Sequence, residues 1–137
     1  MSPILEKSFK SGVTEFMDLY GVRHGKNLML KKHLEQHIIS ALKPFDPEKV
    51  ILFGSYARNE SNEESDVDVY IVSKEDYMPA TYAENMQHYK KYSRSLKELK
   101  KLIPVDVLVH TRAMNRVFEE SNSAFSREIL LAGERLL

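Results

Sequence analysis

The 137-residue chain contains no cysteine. This absence excludes a disulfide framework and thiolate metal sites, and it fits a protein that works in the reducing cytoplasm. An excess of charge of one sign is also missing, because 20 Lys and Arg residues balance 20 Asp and Glu residues. The overall charge therefore does not indicate nucleic acid as a direct ligand.

Long apolar runs are missing as well. No run reaches the length needed to cross a membrane, and residues 1–7 lack the apolar core of a secretory signal. We therefore expect a cytoplasmic protein with no membrane partner. The hydrophobic fraction of 42% and the charged fraction of 29% are ordinary for a globular protein, and the length suits one domain.

The spacing of apolar residues predicts several helices. A first amphipathic helix stops at Gly21, and we interpret residues 1–26 as a helical extension of a single globular domain, residues 27–137. Asn27 can cap a second helix that ends before Pro44. Three more helices are predicted, from Tyr82 to about Lys101, from Thr111 through Phe118, and from Phe125 to Leu130 ahead of Gly133.

Three further segments predict strands. Val50–Phe53 is apolar throughout, which suits a strand that is buried on both faces. Asp66–Val72 and Val105–His110 alternate between two kinds of side chain, as a strand with two different faces does. Together with the helices, these strands predict an α/β (α+β) fold in which helices pack against a small mixed β-sheet.

The stretch that carries chemistry begins directly after the first strand. Gly54 has no side chain, so a phosphate can approach its backbone, and the Ser55 hydroxyl can donate to a phosphate oxygen. We expect residues 55–58 to begin a short helix whose N-terminal amides favour an anion.

Three aspartates follow on the next two strands. Asp66 and Asp68 are two residues apart, so on a strand both carboxylates point to one face. Asp106 lies inside an otherwise apolar strand, where a carboxylate is costly to bury without a metal or a partner. Carboxylates that face a bound phosphate make a site for Mg²⁺. The pattern therefore indicates metal-assisted chemistry on a nucleoside triphosphate.

Gly54-Ser55, ten residues and then Asp66-x-Asp68 resembles the signature of the nucleotidyltransferases of the DNA polymerase β superfamily. The size is similar to the minimal (MNT-type) group, whose members include antitoxin partners of HEPN-domain ribonuclease toxins. The segment Phe125–Leu130, with Gly133 after it, is also similar to that group. One departure is Asn59, which stands where the family usually has a left-handed glycine, and asparagine is the most tolerated substitute there.

The resemblance implies a polymerase β-like nucleotidyltransferase fold and a role for each matched residue. The catalytic residues, which would also bind two Mg²⁺ ions, are Asp66, Asp68 and Asp106. The residues that would bind the nucleotide, with ATP as the substrate, are Gly54, Ser55, Arg58 and Ser65.

By the same resemblance, the reaction is the transfer of a nucleoside monophosphate, AMP from ATP, to an acceptor hydroxyl on a partner protein such as a HEPN-type toxin. Two alternatives stay open. One is transfer to a small molecule, as in aminoglycoside-modifying members, and the other is a non-catalytic antitoxin that only binds its toxin. The base of the nucleotide and a possible homo-oligomer also stay open.

Two features have competing interpretations. Arg58 can contact phosphate, or it can pair with an acid of the loop at residues 60–64. Tyr82, Met86 and Tyr89 form a stripe at helical spacing, which we interpret as core packing rather than as a platform for a nucleobase.

Overall fold

A computed structural model describes residues 27–62 and 65–137. It begins with helix α1, Asn27–Leu42, which continues into a 3₁₀ helix at Lys43–Phe45. The predicted second helix is therefore confirmed. The predicted first helix and the extension at residues 1–26 lie outside the described residues.

Within the described residues, four strands and four further α-helices follow α1. The strands are β1 (Lys49–Phe53), β2 (Val67–Val72), β3 (Val105–His110) and β4 (Glu134–Arg135), and the helices are α2 (Tyr82–Ser93), α3 (Lys97–Lys100), α4 (Arg112–Ser121) and α5 (Ala124–Leu130). The strands form one mixed sheet in the order β3-β2-β1-β4. Only β2 and β3 are parallel, while β1 is antiparallel to both of its neighbours. The predicted mixed α/β fold is confirmed.

Each face of the sheet packs against its own set of helices. Val67, Val69 and Ile71 of β2 point into a large core shared with α1, α2 and α3. Tyr70 and Val72 point to the opposite face, where they pack with Ile129 of α5 and other residues. This alternation follows the period of two along a strand, and it agrees with the faces that the sequence predicts. None of the helices in the described ranges is long and apolar enough to cross a membrane.

The predicted helix from Tyr82 to about Lys101 is wrong in its continuity. A 3₁₀ helix at Arg94–Leu96 separates α2 from α3. Tyr92, Leu96 and Leu99 are all buried, at the spacing of four and three residues that a continuous α-helix would also place on one face. Tyr82 is 78% exposed, so its predicted place in the core is also wrong, because the buried residues of α2 begin only at His88.

The strand β4 is absent from the prediction. It contains only two residues, which is too short for an alternating pattern to be read. It exists because α5 returns the chain to β1, where Leu52 pairs with Glu134. Gly133 makes this return possible, since a Cβ there would lie 2.3 Å from the Ile129 carbonyl oxygen.

Candidate active site

The register of the sheet aligns two of the three predicted aspartates. Phe53 of β1 pairs with Asp68 of β2, and Asp68 pairs with Asp106 of β3. Directly paired residues point to the same face of a sheet. This is the face that carries Tyr70, so both carboxylates lie beyond the edge of the core that α4 and α5 cover. Asp66 precedes the first residue of β2 and is exposed.

These three residues, Asp66, Asp68 and Asp106, form what we call the carboxylate cluster. Asp68 is half-buried, whereas the other two are exposed. Burial raises the pKa of Asp68 to about 6, and the negative charges of Asp106 and Asp66 raise it further. The arrangement therefore concentrates negative charge, which a cation bound there would relieve.

Gly54 lies against this cluster. Its φ is +75°, a conformation that L-residues with a side chain rarely adopt, and a Cβ atom there would lie 2.2 Å from Asp68 Oδ2. From the sequence, we explain the glycine at position 54 by the room that a phosphate needs next to the backbone. The structure adds a second reason, because the carboxylate of Asp68 occupies the space where that side chain would be.

The predicted short helix at residues 55–58 is wrong. Residues 54–60, which we call the Gly-Ser turn, make a single helical turn closed by Arg58 N–H donating to the Gly54 carbonyl at 3.2 Å. Glu60 N–H donates to the Ser55 carbonyl at 2.9 Å, and Asn59 N–H donates to the Tyr56 carbonyl at 3.3 Å. These two bonds form a Schellman motif, which ends the helical turn before a second turn can form.

Asn59 closes this motif in a left-handed conformation, with φ of +59°. The predicted left-handed backbone is therefore confirmed. Asparagine adopts it at lower cost than other residues with a side chain. Its side chain also accepts a hydrogen bond from Lys31 Nζ of α1 at 3.2 Å. A glycine could not make this contact.

The remaining predicted nucleotide-binding residues surround the turn. Arg58 donates to Glu60 at 3.0 Å and to Glu128 of α5 at 3.2 Å, so it pairs with an acid of the following loop, as one of its two interpretations predicts. Ser65 Oγ accepts from the Asn62 amide at 2.9 Å, just before β2. The structure thus brings the predicted residues together at one end of β1 and β2.

Two residues that the sequence does not single out also belong to this region. Glu128 pairs with Arg58, and its charge contributes to the raised pKa of Asp68. A signal for Glu128 exists, since it lies in the Phe125–Leu130 segment that is similar to the family. Lys31 offers only an ordinary i, i+4 pair with Glu35, which occurs on many helices and does not indicate a site.

The donor set of the carboxylate cluster fits a hard divalent cation. Mg²⁺ in proteins is usually held by one or two carboxylates together with substrate phosphates and water, rather than by a complete cage of side chains. Within residues 27–62 and 65–137, no three His, Cys, Asp or Glu side chains converge into such a cage. The facing pair Asp68 and Asp106 therefore suits a metal that is shared with a bound triphosphate.

A comparison of the sequence with protein-family models agrees with this geometry. Residues 34–131, more than half of the chain, match the model of the nucleotidyltransferase domain. Curated proteins include no significant match. The matched range contains the Gly-Ser turn and the whole carboxylate cluster, and the domain implies transfer of a nucleotidyl group from a nucleoside triphosphate. On the strength of this match, the chain belongs to the nucleotidyltransferase domain family.

Proposed function

We propose that the protein is a Mg²⁺-dependent adenylyltransferase that moves AMP from ATP to a hydroxyl group of a partner protein. The observation that carries the proposal is the pairing of Asp68 with Asp106 beside Gly54. This pairing supports a site in which a triphosphate bound at the turn and an acceptor hydroxyl meet at the same carboxylates.

The family resemblance proposes a role for each residue. Gly54 and Ser55 would bind the triphosphate through the backbone and the serine hydroxyl. Asp66 and Asp68 would hold two Mg²⁺ ions, and Asp106 would be the third carboxylate, a ligand of the catalytic ion. The bound ions supply charge neutralisation and lower the pKa of the attacking hydroxyl.

The transfer conserves every atom of the two substrates. The acceptor oxygen forms a bond to the α-phosphorus, and the bond from this phosphorus to the bridging oxygen of pyrophosphate breaks. Pyrophosphate leaves with that electron pair, and the hydroxyl proton passes to solvent beside Asp106, which is exposed. The carboxylates orient the two oxygen atoms in line, which lowers the entropic part of the barrier.

A protein acceptor is favoured by the small size of the domain. The residues around the carboxylate cluster belong to strand ends, a short turn and α5, and they leave Asp66 and Asp106 exposed. A second macromolecule can therefore reach these carboxylates directly. A toxin of the HEPN type is the partner that the family resemblance proposes.

The test is incubation of the protein with Mg²⁺, ATP and its cognate partner, followed by mass spectrometry of the partner. We expect mass increments equal to AMP, which disappear in the Asp66→Asn, Asp68→Asn double variant. The double variant should also lose the rise in melting temperature that MgATP produces in the wild type. A matched control is Asp46→Asn with Asp76→Asn, because these exposed aspartates pair with Lys74 and Arg116 away from the site.

Each other outcome assigns a different function. Efficient labelling of a small hydroxylated compound, with no labelled protein, would favour the small-molecule transferase. Neutralisation of a toxin that is unchanged in the double variant would favour the non-catalytic binding module. An unchanged MgATP shift in the double variant would place the nucleotide outside the carboxylate cluster.

A further inference from the structure

Lys31 is a buried cation that joins three separate parts of the chain. Its side chain is only 9% exposed, and its Nζ lies 2.5 Å from Glu134 Oε2 of β4. The same Nζ lies 4.0 Å from Glu35 Oε1 of α1 and donates to Asn59 Oδ1 at 3.2 Å. Few lysines are buried to this extent without a specific set of partners.

The contact with Asn59 is the one that reaches the proposed site. Asn59 is the left-handed residue of the Schellman motif that closes the Gly-Ser turn. Asn59 is exposed, and its side-chain oxygen accepts the hydrogen bond from Lys31. A hydrogen bond from a charged donor is roughly twice as strong as one between neutral groups.

The other partners of Lys31 explain why the ammonium can hold this position. Glu134 is fixed by the pairing of β4 with β1 at Leu52, one residue before Phe53 and two before Gly54. The lysine thus connects the end of the turn, at Asn59, to β4, the strand that pairs with β1, from which the turn begins. A clamp across both ends of a turn limits the conformations that the turn can adopt.

We propose that Lys31 is a positioning residue that fixes the Gly-Ser turn in the conformation that binds triphosphate. This inference rests on the proposed function in one respect only, that the turn binds phosphate. Lys31 acts through Asn59 and does not contact the substrate. Asn59, which stands where the family usually has glycine, then has a role of its own, because its side chain accepts the hydrogen bond from Lys31.

The first experiment measures the turn without any substrate. Amide hydrogen exchange, followed by NMR, reports on Arg58, Asn59 and Glu60, whose N–H groups close the turn. We expect exchange at these three amides to become about tenfold faster in Lys31→Met and in Asn59→Gly, the effect of losing roughly 1.4 kcal/mol. Asn59→Gly permits the same left-handed backbone and removes the acceptor, so it stays informative if Lys31→Met folds poorly, and Lys31→Met tests the contact without adding the backbone freedom of a glycine.

The second experiment measures MgATP. If the clamp only positions the turn, Lys31→Met and Asn59→Gly should raise KM for MgATP about tenfold and leave kcat nearly unchanged, because ground state and transition state lose the same interaction. A purely structural defect would instead reduce the active fraction, which lowers kcat at constant KM. Lys31→Arg should have a KM for MgATP close to that of the wild type, since arginine keeps a cation that can donate to the same partners.

Matched variants separate the possible outcomes. Lys49→Met removes a lysine of the same sheet that pairs with Glu119 at 3.0 Å, far along β1 from the turn, and it should change neither measurement. The double variant Lys31→Met, Asn59→Gly should be no worse than either single one. Unchanged exchange at the three amides would overturn the inference even if the wild type bound no nucleotide, and faster exchange with unchanged KM would do so as well. A wild type that does not bind MgATP would refute the proposed function, and the exchange result would still stand.

Discussion

At the scale of single residues, Gly54 carries two constraints that a sequence cannot separate. A glycine after a strand indicates either a left-handed backbone or a close approach of another group. Here both apply, and the approaching group belongs to the protein itself, since Asp68 Oδ2 lies where the Cβ would be. Any side chain at position 54 therefore displaces a carboxylate of the cluster as well as straining the backbone.

This arrangement leads to a prediction for Gly54→Ala. We expect the free energy of unfolding to fall by about 1–2 kcal/mol because of the left-handed φ. The clash itself should cost little stability, because the Asp68 carboxylate is the end of a side chain and can rotate away. That rotation should reduce the MgATP-induced rise in melting temperature by more than Ser55→Ala does, which removes one hydrogen bond of ~0.5–1.5 kcal/mol.

Gly133→Ala is the control for this prediction. A Cβ at position 133 would meet the Ile129 backbone oxygen at 2.3 Å and the Ile51 side chain at 2.5 Å, away from the cluster. It should destabilise the protein at least as much as Gly54→Ala and leave the MgATP shift intact. Urea unfolding and thermal shift measure the two effects separately. Equal loss of the shift in both variants would contradict a specific role for Gly54.

At the scale of elements, the joint between α1 and β4 contains two carboxylates and one ammonium. Glu35 of α1 and Glu134 of β4 both lie next to Lys31. Burial raises the pKa of Glu35 to about 7, and the hydrogen bond and the charge of Glu134 add to the effect. One lysine thus lies next to two acids, and the folded state favours the protonated form of Glu35.

The stability of the folded protein should therefore depend on pH. Because the folded pKa of Glu35 lies above its ordinary value of 4.5, the folded state holds a proton that the unfolded state releases. The contribution of Glu35 to the free energy of unfolding falls as pH rises from about 4.5 to about 7 and is constant above that. We expect Glu35→Gln to gain stability relative to the wild type at pH 8 compared with pH 5, measured by urea unfolding.

Glu119→Gln provides the control, because the pKa of Glu119 is lowered whereas that of Glu35 is raised. The hydrogen bond from Lys49 lowers the pKa of Glu119, so its carboxylate stays ionised throughout this range. This variant should change the free energy of unfolding by the same amount at pH 5 and pH 8. A difference between wild type and Glu35→Gln that is the same at both pH values would show that Glu35 does not titrate in this window.

At the scale of the whole molecule, the larger apolar core and the proposed site lie on opposite faces of the sheet. One face is covered by α1, α2 and α3 over a continuous core, and the other is covered only in part, by α4 and α5. The carboxylate cluster lies on the partly covered face, beyond Tyr70. Exposed carboxylates there cost less than buried ones would, while the core on the opposite face stabilises the strands that carry them.

The balanced charge of the chain gives a prediction at this scale. With formal net charge of zero, we expect no non-specific binding of duplex DNA tighter than about 100 μM at physiological salt. Fluorescence anisotropy of a labelled duplex measures this directly. Three exposed basic residues lie in α2, in the 3₁₀ helix after it and at the start of α3, namely Lys90, Arg94 and Lys97. Binding that is tighter, and that is lost in Arg94→Glu with Lys97→Glu, would contradict the prediction and identify this face as the cause.

The sequence by itself determined the features that depend on local pattern. The buried run Val50–Phe53, the alternation along β2 and β3, and the helix that begins at Thr111 can all be predicted because neighbouring residues specify them. The Thr111 hydroxyl accepts from the Met114 amide at 3.1 Å, as a residue that caps a helix does. Each of these features follows from the period of a strand or from the capping preference at one position. The left-handed Asn59 is predicted instead through the family resemblance, by the glycine that the family usually has there.

Only the tertiary structure decided the features that join distant segments. The pairing of Asp68 with Asp106 depends on the register of two strands that are separated by α2 and α3, and β4 exists only because α5 returns the chain to β1. The contact of Lys31 with Asn59 spans 28 positions of sequence. No local pattern encodes such contacts, because their energy is gained only when the intervening chain has folded. The motif predicted a nucleotidyltransferase, the family to which the chain belongs, and the sheet decided that Asp68 and Asp106 face each other.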